Sequence, residues 1–270
     1  MLNMKKTSNF LLLVGILFIS VNTQSQETSS DFKSSKESSK KWRFSITPYA
    51  LLAAQSTDVD GEAIRQNFND LSSMTNAGFQ IITTVRYDKF SLSFDGTFAN
   101  LGGSGETGPI KVDLSIDQKI FDIKFGYKIY DNFKLSKDQA INGWSIDFSL
   151  GGKYMLNDVN LDYFIYLGDI PIYDGSFPKK LEWWDLMVGV NTKFIVSPKF
   201  LVSVAYNAGG FGIGNSSKFA SDFTYINSFK VQKHILVNAG FRSFNYDRID
   251  DEVNTKVSVL GPMLGVSAIF

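Results

Sequence analysis

Short segments in which apolar and polar residues alternate recur along most of the 270-residue chain, and they constrain its fold more than any other feature. Such segments occur at 90–98, 121–129, 144–151, 185–194 and 202–207. Successive side chains of a β-strand point to opposite faces of the sheet. Each segment is therefore predicted to be a strand with one apolar face and one polar face.

The pattern predicts about ten strands, joined by connections that alternate between long and short. The predicted strands are 42–53, 75–88, 89–100, 109–130, 143–156, 178–197, 199–209, 219–232, 235–248 and 255–270. Long connections are predicted at 54–74, 101–108, 157–177, 210–218 and 249–254, and short turns at 88–89, 197–199 and 232–234, with a medium turn at 131–142. This asymmetry places every long connection on one side, as in membrane β-barrels.

The N-terminal region has the features of an export signal. Lys5 and Lys6 precede an apolar run at 10–19, which is too short to span a bilayer permanently. Residues 1–25 are therefore predicted to be a signal peptide that is cleaved before Gln26. Residues 26–41 are rich in Ser, Lys and Glu and are predicted to be a disordered periplasmic tether, because they cannot bury enough apolar area to fold. The folded domain is predicted over 42–270.

The C-terminal segment ends in an aromatic residue on an amphipathic strand. Leu264, Val266 and Ala268 share a face with the final Phe270. Such an ending resembles the signal by which outer-membrane barrels are handed to their insertion machinery, so we expect that machinery and outer-membrane lipid as partners.

Alternation alone also fits a water-soluble β-sandwich. The export signal, the asymmetric connections and this ending favour the barrel.

Several short motifs from residue 42 to the C-terminus carry a family resemblance. They are Trp42-Arg43-Phe44, Pro48-Tyr49, Phe68-Asn69-Asp70-Leu71, Trp184-Asp185, Val188-Gly189-Val190, Gly209-Gly210-Phe211-Gly212, Gly240-Phe241-Arg242, Gly261-Pro262, Gly265 and Phe270. In this order and spacing the chain resembles a porin-like family of outer-membrane β-barrel proteins of Gram-negative bacteria. It departs from the family at Ala50-Leu51, where an aromatic residue is expected, and at Phe241, where Tyr is usual. No activity is assigned to the family, so the resemblance implies architecture and location only.

These observations predict an all-β fold: a closed antiparallel transmembrane β-barrel of about ten strands, with eight or twelve as the neighbouring options. One short loop helix is predicted within 60–74, where Ile64, Phe68 and Leu71 fall on one helical face and Asp60 is a candidate N-cap. The helix could gate the barrel mouth or pack over its rim.

Charged residues of both signs fall on the polar faces of the predicted strands. The predicted lumen-lining residues are Arg86, Asp95, Asp122, Lys124, Lys128, Asp147, Lys153, Asp185, Lys193, Asp222, Lys230 and Arg242. They could form a polar conduit or a salt-bridged plug, and a barrel of about ten strands lies near the filled end of the size range. We expect pairs between neighbouring strands, such as Arg86 with Asp95 and Lys153 with Asp147 or Asp185.

The composition argues against several classes of function. The 27 basic and 27 acidic residues cancel, which gives no reason to expect nucleic-acid binding, and the absence of cysteine removes thiolate chemistry. The single histidine, His234, falls in a predicted short turn, without the neighbours that a hydrolase needs.

Three further segments resemble ligand-binding motifs only superficially. Residues 58–62 lack the later ligands of a calcium loop, and 250–252 is expected to be a solvated acidic turn. The glycines at 209–214 predict a tight loop or a close backbone approach at the rim, rather than a dinucleotide site. We therefore expect no catalytic, cofactor or metal site.

The favoured function is a non-enzymatic outer-membrane barrel, either a narrow pore for small polar solutes or a structural or binding barrel. The alternative is an outer-leaflet lipid- or glycolipid-modifying enzyme.

Overall fold

The computed structural model describes residues 42–136, 139–167, 170–250 and 252–270. The described elements are β1 Trp42–Leu51, β2 Ala54–Val59, β3 Glu62–Gln66, α1 Phe68–Met74, β4 Thr75–Tyr87, β5 Phe90–Thr107, β6 Ile110–Asp131, β7 Lys134–Ser136, β8 Gln139–Leu167, β9 Ile170–Ser197, β10 Phe200–Gly210, β11 Phe219–Lys230, β12 Ile235–Asp250 and β13 Val253–Ile269. The predicted signal peptide and tether lie outside the described residues.

Ten of these strands form one closed antiparallel ring. The order around the ring is β1, β4, β5, β6, β8, β9, β10, β11, β12 and β13, and β13 pairs with β1 to close it. At the seam, Phe44 and Phe270 exchange backbone hydrogen bonds of 3.1 and 2.8 Å. Closure leaves the ring without an unpaired edge. The predicted closed barrel of about ten strands is confirmed.

The apolar side chains of the ring face outward and the polar ones face inward. Phe90 and Leu92 are 47% and 54% exposed, whereas Asp122 and Asp147 are almost fully buried. A β-sandwich would bury the apolar faces between two sheets. The sandwich interpretation is therefore wrong for this chain, and the ring has the inside-out polarity of a barrel that contacts an apolar surrounding.

Glycines on the inner faces allow the ring to curve tightly. A Cβ atom added at Gly151 would collide with the carbonyl oxygen of Ile123, and one added at Gly240 would collide with that of Tyr225. Backbones of neighbouring strands approach each other closely at both positions, so only a residue without a side chain fits.

Two hairpins continue well beyond the ring. Pairing of β5 with β6 runs to Thr107 and Ile110, and pairing of β8 with β9 runs to Leu167 and Ile170. The described residues within 102–117 and 157–182 thus form a four-stranded sheet, called the blade below. The predictions of loops at 101–108 and 157–177 are wrong. Backbone pairing continues through Gly102, Gly103 and Gly105, which lie inside the predicted loop at 101–108.

The polarity of the sheet reverses between the ring and the blade. On the blade, Leu114, Ile116 and Leu161 lie on the face that continues the barrel interior, and Asp113 and Asp162 lie on the outward face. An antiparallel sheet with one face in water and one apolar face has this pattern. The ring and the blade are therefore built for different surroundings.

A short hairpin and a helix occupy the connection between β1 and β4. Asp60 and Gly61 join β2 to β3 in a two-residue turn with φ of 51° and 94°, as a type I′ turn requires. Helix α1 begins after Asn67, whose side chain forms a capping box with Asp70. The predicted loop helix is thus confirmed only at 68–74, and Asp60 is wrong as its N-cap, because Asp-Gly favours a hairpin. No helix in the described part of the chain is long and apolar enough to cross a membrane.

Replacing Gly240 by Ala should destabilise the barrel, because the new methyl group would push strands β11 and β12 apart. We expect the free energy of unfolding to fall by roughly 1–3 kcal/mol. Urea titration of the refolded protein, followed by heat-modifiable migration in gels, measures this. Gly105→Ala is the control, since no atom lies within 4 Å of a Cβ added there. Equal stabilities of the two variants would contradict the account.

Candidate functional site

The polar interior of the ring is the candidate site. All twelve charged residues singled out from the sequence lie on the inner face of their strands, by the alternation that also places Asp122 there. Five of them are buried: Asp122, Asp147, Lys153, Asp185 and Asp222. The charges of the interior fall into separate groups.

A chain of alternating charges crosses the middle of the barrel. Lys124 Nζ lies 3.0 Å from Asp122 Oδ2, and Lys153 Nζ lies 3.4 Å from the same oxygen. Lys153 also donates to Asp222 Oδ2 at 2.7 Å. Each buried carboxylate here is shared between two cations, which offsets part of the free energy lost on dehydration.

Arg242 extends this chain to the opposite wall. Its guanidinium donates to Asp222 at 2.7 and 3.2 Å and lies 2.7 Å from Asp95 Oδ2. Tyr49 accepts from Arg242 at 2.6 Å and donates to Asp95 at 2.9 Å. Tyr49, Asp95, Asp122, Lys124, Lys153, Asp222 and Arg242 are called the central network below. It contains three cations and three carboxylates, so its formal charges cancel.

Two of these ion pairs join strands that are not neighbours. Lys153 on β8 and Asp222 on β11 are three strands apart around the ring, and Arg242 on β12 and Asp95 on β5 are four strands apart. Such contacts can form only across the interior. The central network therefore occupies the cross-section of the barrel at its own level.

The ion pairs expected between neighbouring strands are wrong. Arg86 pairs with Asp147 rather than Asp95, through two hydrogen bonds of 3.0 and 2.9 Å. Lys153 pairs with Asp222 and Asp122 rather than with Asp147 or Asp185. Asp122 stands opposite Lys153 in the register of neighbouring strands, whereas Asp222 lies on the far wall. The interior is narrow enough for long side chains to reach that wall, so the register between neighbours decides only some of the partners.

An apolar layer lies next to the central network, on the side of the blade. Met155, Trp183 and Phe244 are buried against one another, with Ile120, Leu181 and Tyr246 packed around them; these six side chains are called the apolar layer. The Trp183 and Tyr246 rings meet edge to face at 5.4 Å. The ammonium of Lys153 lies 4.2 Å above the centre of the Phe244 ring, so the two layers are in direct contact.

The loop between β10 and β11 is fastened to the inner wall. Asp185 accepts hydrogen bonds from the backbone N–H of Ser217 at 2.7 Å and from its hydroxyl at 2.8 Å, and Trp183 Nε1 donates to the same hydroxyl at 3.1 Å. Gly210 and Phe211 have positive φ angles of 81° and 61°. The prediction of a tight glycine-rich loop here is confirmed.

Charged side chains bridge the two sides of the mouth above this loop. Arg248 donates to Asn215 and to Asp250, both at 3.0 Å, and its guanidinium stacks on Trp183 at 4.6 Å. Lys179 on the blade lies 3.7 Å from Asp250. Asp250 was expected in a solvated acidic turn; that interpretation is wrong for Asp250, and Asp251 lies outside the described residues.

The only histidine of the sequence lies far from these loops. His234 sits in the turn between β11 and β12, with Nδ1 2.8 Å from the carbonyl oxygen of Ile269 and its ring stacked near that of Phe270. In the described residues, no group of three or more histidine, aspartate or glutamate side chains is arranged to hold a metal ion.

Comparisons with known proteins bear on the fold. No protein-family model and no curated protein matches the chain in sequence. Among solved structures, the outer membrane protease OmpT from Escherichia coli is similar over 85% of this chain and 97% of its own, with 8% identity and a TM-score of 0.51. Ail, the attachment invasion locus protein of Yersinia pestis, matches over 85% and 98%, with 12% identity and a TM-score of 0.34. Neisserial surface protein A matches over 86% and 99%, with 13% identity and a TM-score of 0.33.

The similarity to the protease supports the assignment of the fold. With so few identical residues it shows a shared fold and not a shared activity. The chain has the fold of an outer-membrane β-barrel.

Proposed function

We propose that the chain is an integral outer-membrane β-barrel without enzymatic activity, and that it acts as a structural or binding barrel rather than as an open pore. The observation that carries this proposal is the set of ion pairs that cross the interior. The central network fills one level of the barrel, and the apolar layer fills the next.

The outer surface supports a position in a bilayer. Exposed Phe and Leu side chains cover the outside of the ring, whereas aspartates occupy the outside of the blade. Lipid accepts the first surface and water the second. The short turns and the described chain ends would then face the periplasm, and the blade would face the outside of the cell. Export through a signal peptide at 1–25, and recognition of the strand ending at Phe270 by the insertion machinery, belong to this proposal.

A filled interior fits the size of the ring. Barrels of about eight strands have interiors filled by side chains, and barrels of 16 or more enclose a channel. Lys153 and Asp222 are each 1% exposed, so no water column passes beside them. The pore for small polar solutes that the sequence allowed is therefore the less favoured alternative. The blade and the mouth loops are the surfaces left for binding.

The enzymatic alternative requires reactive side chains near the mouth. A nucleophile there needs a base within hydrogen-bond reach. His234 lies at the other end of the barrel, beside Phe270. The protease comparison concerns the fold alone, so a lipid- or glycolipid-modifying enzyme has no specific observation in its favour.

Replacing Arg86 by Ala should destabilise the barrel strongly, because it leaves the carboxylate of Asp147 buried without its bidentate partner. We expect the free energy of unfolding to fall by about 3–5 kcal/mol. Arg65→Ala is the matched control, because Arg65 lies exposed on β3. A wide, water-filled lumen would instead leave both variants equally stable in a urea titration.

The protein reconstituted into a planar bilayer should show no sustained single-channel conductance. Removing two cations of the central network, with Lys153→Ala and Arg242→Ala, should open a leak, because it deletes the side chains that cross the interior. Heat-modifiable migration checks that the double variant folds. Stable ion-conducting openings of the unmodified protein would overturn the filled-barrel proposal.

A further inference from the structure

The inner face near the short-turn end carries a second group of charges. Arg86 on β4, Lys128 on β6, Asp147 on β8 and Lys193 on β9 are called the basal cluster below. Lys128 stands directly opposite Asp147 in the strand register, and Arg86 reaches Asp147 across the interior. The charges of Arg86, Lys128 and Asp147 all interact electrostatically with the ammonium of Lys193.

The basal cluster has more positive than negative charge, unlike the central network. Asp147 is its only carboxylate, and both of its oxygens accept hydrogen bonds from Arg86. Lys128 is satisfied separately by Asp131 at the rim, at 2.8 Å. Arg43, which stands opposite Arg86 in the register of β1 and β4, adds a further cation to the same face.

Within the basal cluster, Arg86 and Lys128 each have a carboxylate partner, and Lys193 is the cation without a direct one. It is partly buried on the inner face, yet it forms no ion pair or hydrogen bond with any side chain in the described ranges. Ser145, which is buried, stands opposite Lys193 in the register and places a hydroxyl beside it. An enclosed ammonium without a direct ion pair is unfavourable, and an anion with oxygen acceptors would relieve this.

Access to Lys193 comes from one side only. The central network and the apolar layer occupy the interior on its blade side, whereas Lys128 and Asp131 lead to the short-turn rim, where the Asp131 side chain is 42% exposed. A ligand that reaches Lys193 must therefore enter from the short-turn end.

We infer that the basal cluster is a binding site for a small carboxylate or phosphate anion, with Lys193 as the main contact. Lys128 and Ser145 provide further donors. Arg86 stays bound to Asp147 and fixes the wall of the site. The inference goes beyond the proposed function and rests on it only in assigning the short-turn end to the periplasm, where the anion would be met.

Thermal unfolding of the refolded barrel in detergent tests the inference. The unfolding midpoint is measured with increasing inorganic phosphate or succinate, at an ionic strength held constant with chloride. Binding to the folded state predicts a midpoint that rises and levels off with concentration. A rise with phosphate alone identifies a phosphate site, a rise with succinate alone a carboxylate site, and a rise with both an anion site of shared chemistry.

Variants separate binding from general salt effects. Lys193→Gln should weaken the apparent affinity by about tenfold or more, as expected for the loss of a charged hydrogen bond. Lys193→Arg should retain the saturable rise. Lys119→Gln is the control, since Lys119 is exposed on the outward face of β6. The inference fails if neither anion gives a saturable rise, or if Lys193→Gln responds as the unmodified protein does. Both outcomes can be read without knowing whether the barrel conducts.

Discussion

Charged side chains buried in the middle of a narrow, poorly hydrated interior must be neutralised by charges within their own reach, and the middle of the barrel is organised around that requirement. The central network places three cations against three carboxylates, and two of its ion pairs, Lys153–Asp222 and Arg242–Asp95, run between strands three and four apart in the ring. Backbone hydrogen bonds close the sheet, but they tie each strand only to its neighbours. The central network links walls that the sheet leaves independent, because two of its ion pairs cross the interior.

The remaining features follow from the two surroundings of the sheet. The ring turns Phe and Leu outward, as a bilayer requires, and the same strands turn aspartates outward where they continue into the blade. The interior also changes along the barrel. A cationic level lies at the short-turn end, the neutral central network lies in the middle, and the apolar layer lies on the side of the blade. Asp185 and Arg248 then fasten the loop residues Ser217 and Asn215 across the mouth. On the proposed function, a barrel built in this way is closed from the blade side and open to a ligand from the short-turn side.

The ring could be predicted from the sequence more fully than the contacts inside it. Alternation is a local property, so the ten ring strands and the inward position of residues such as Asp122 and Lys153 could be predicted. Alternation does not reveal where pairing stops, so the end of β5, with glycines at 102, 103 and 105, was predicted as a loop. The Asp60-Gly61 turn had a recognisable hairpin signal, but a helical spacing of apolar residues concealed it. The partners of Arg86 and Lys153 depend on the width of the closed ring, which no local pattern encodes.

A double-mutant cycle between Lys153 and Asp222 tests most directly whether side chains meet across the interior. The free energies of unfolding are measured for the unmodified protein, Lys153→Ala, Asp222→Ala and the double variant. The account predicts a favourable coupling energy toward the upper end of the range of about 0.5–3 kcal/mol seen for contacting residues. The exposed pair Lys180 and Glu182, 2.8 Å apart, serves as the reference and should couple much less. A coupling energy near zero between Lys153 and Asp222 would show that the two strands do not communicate through the interior and would contradict the account.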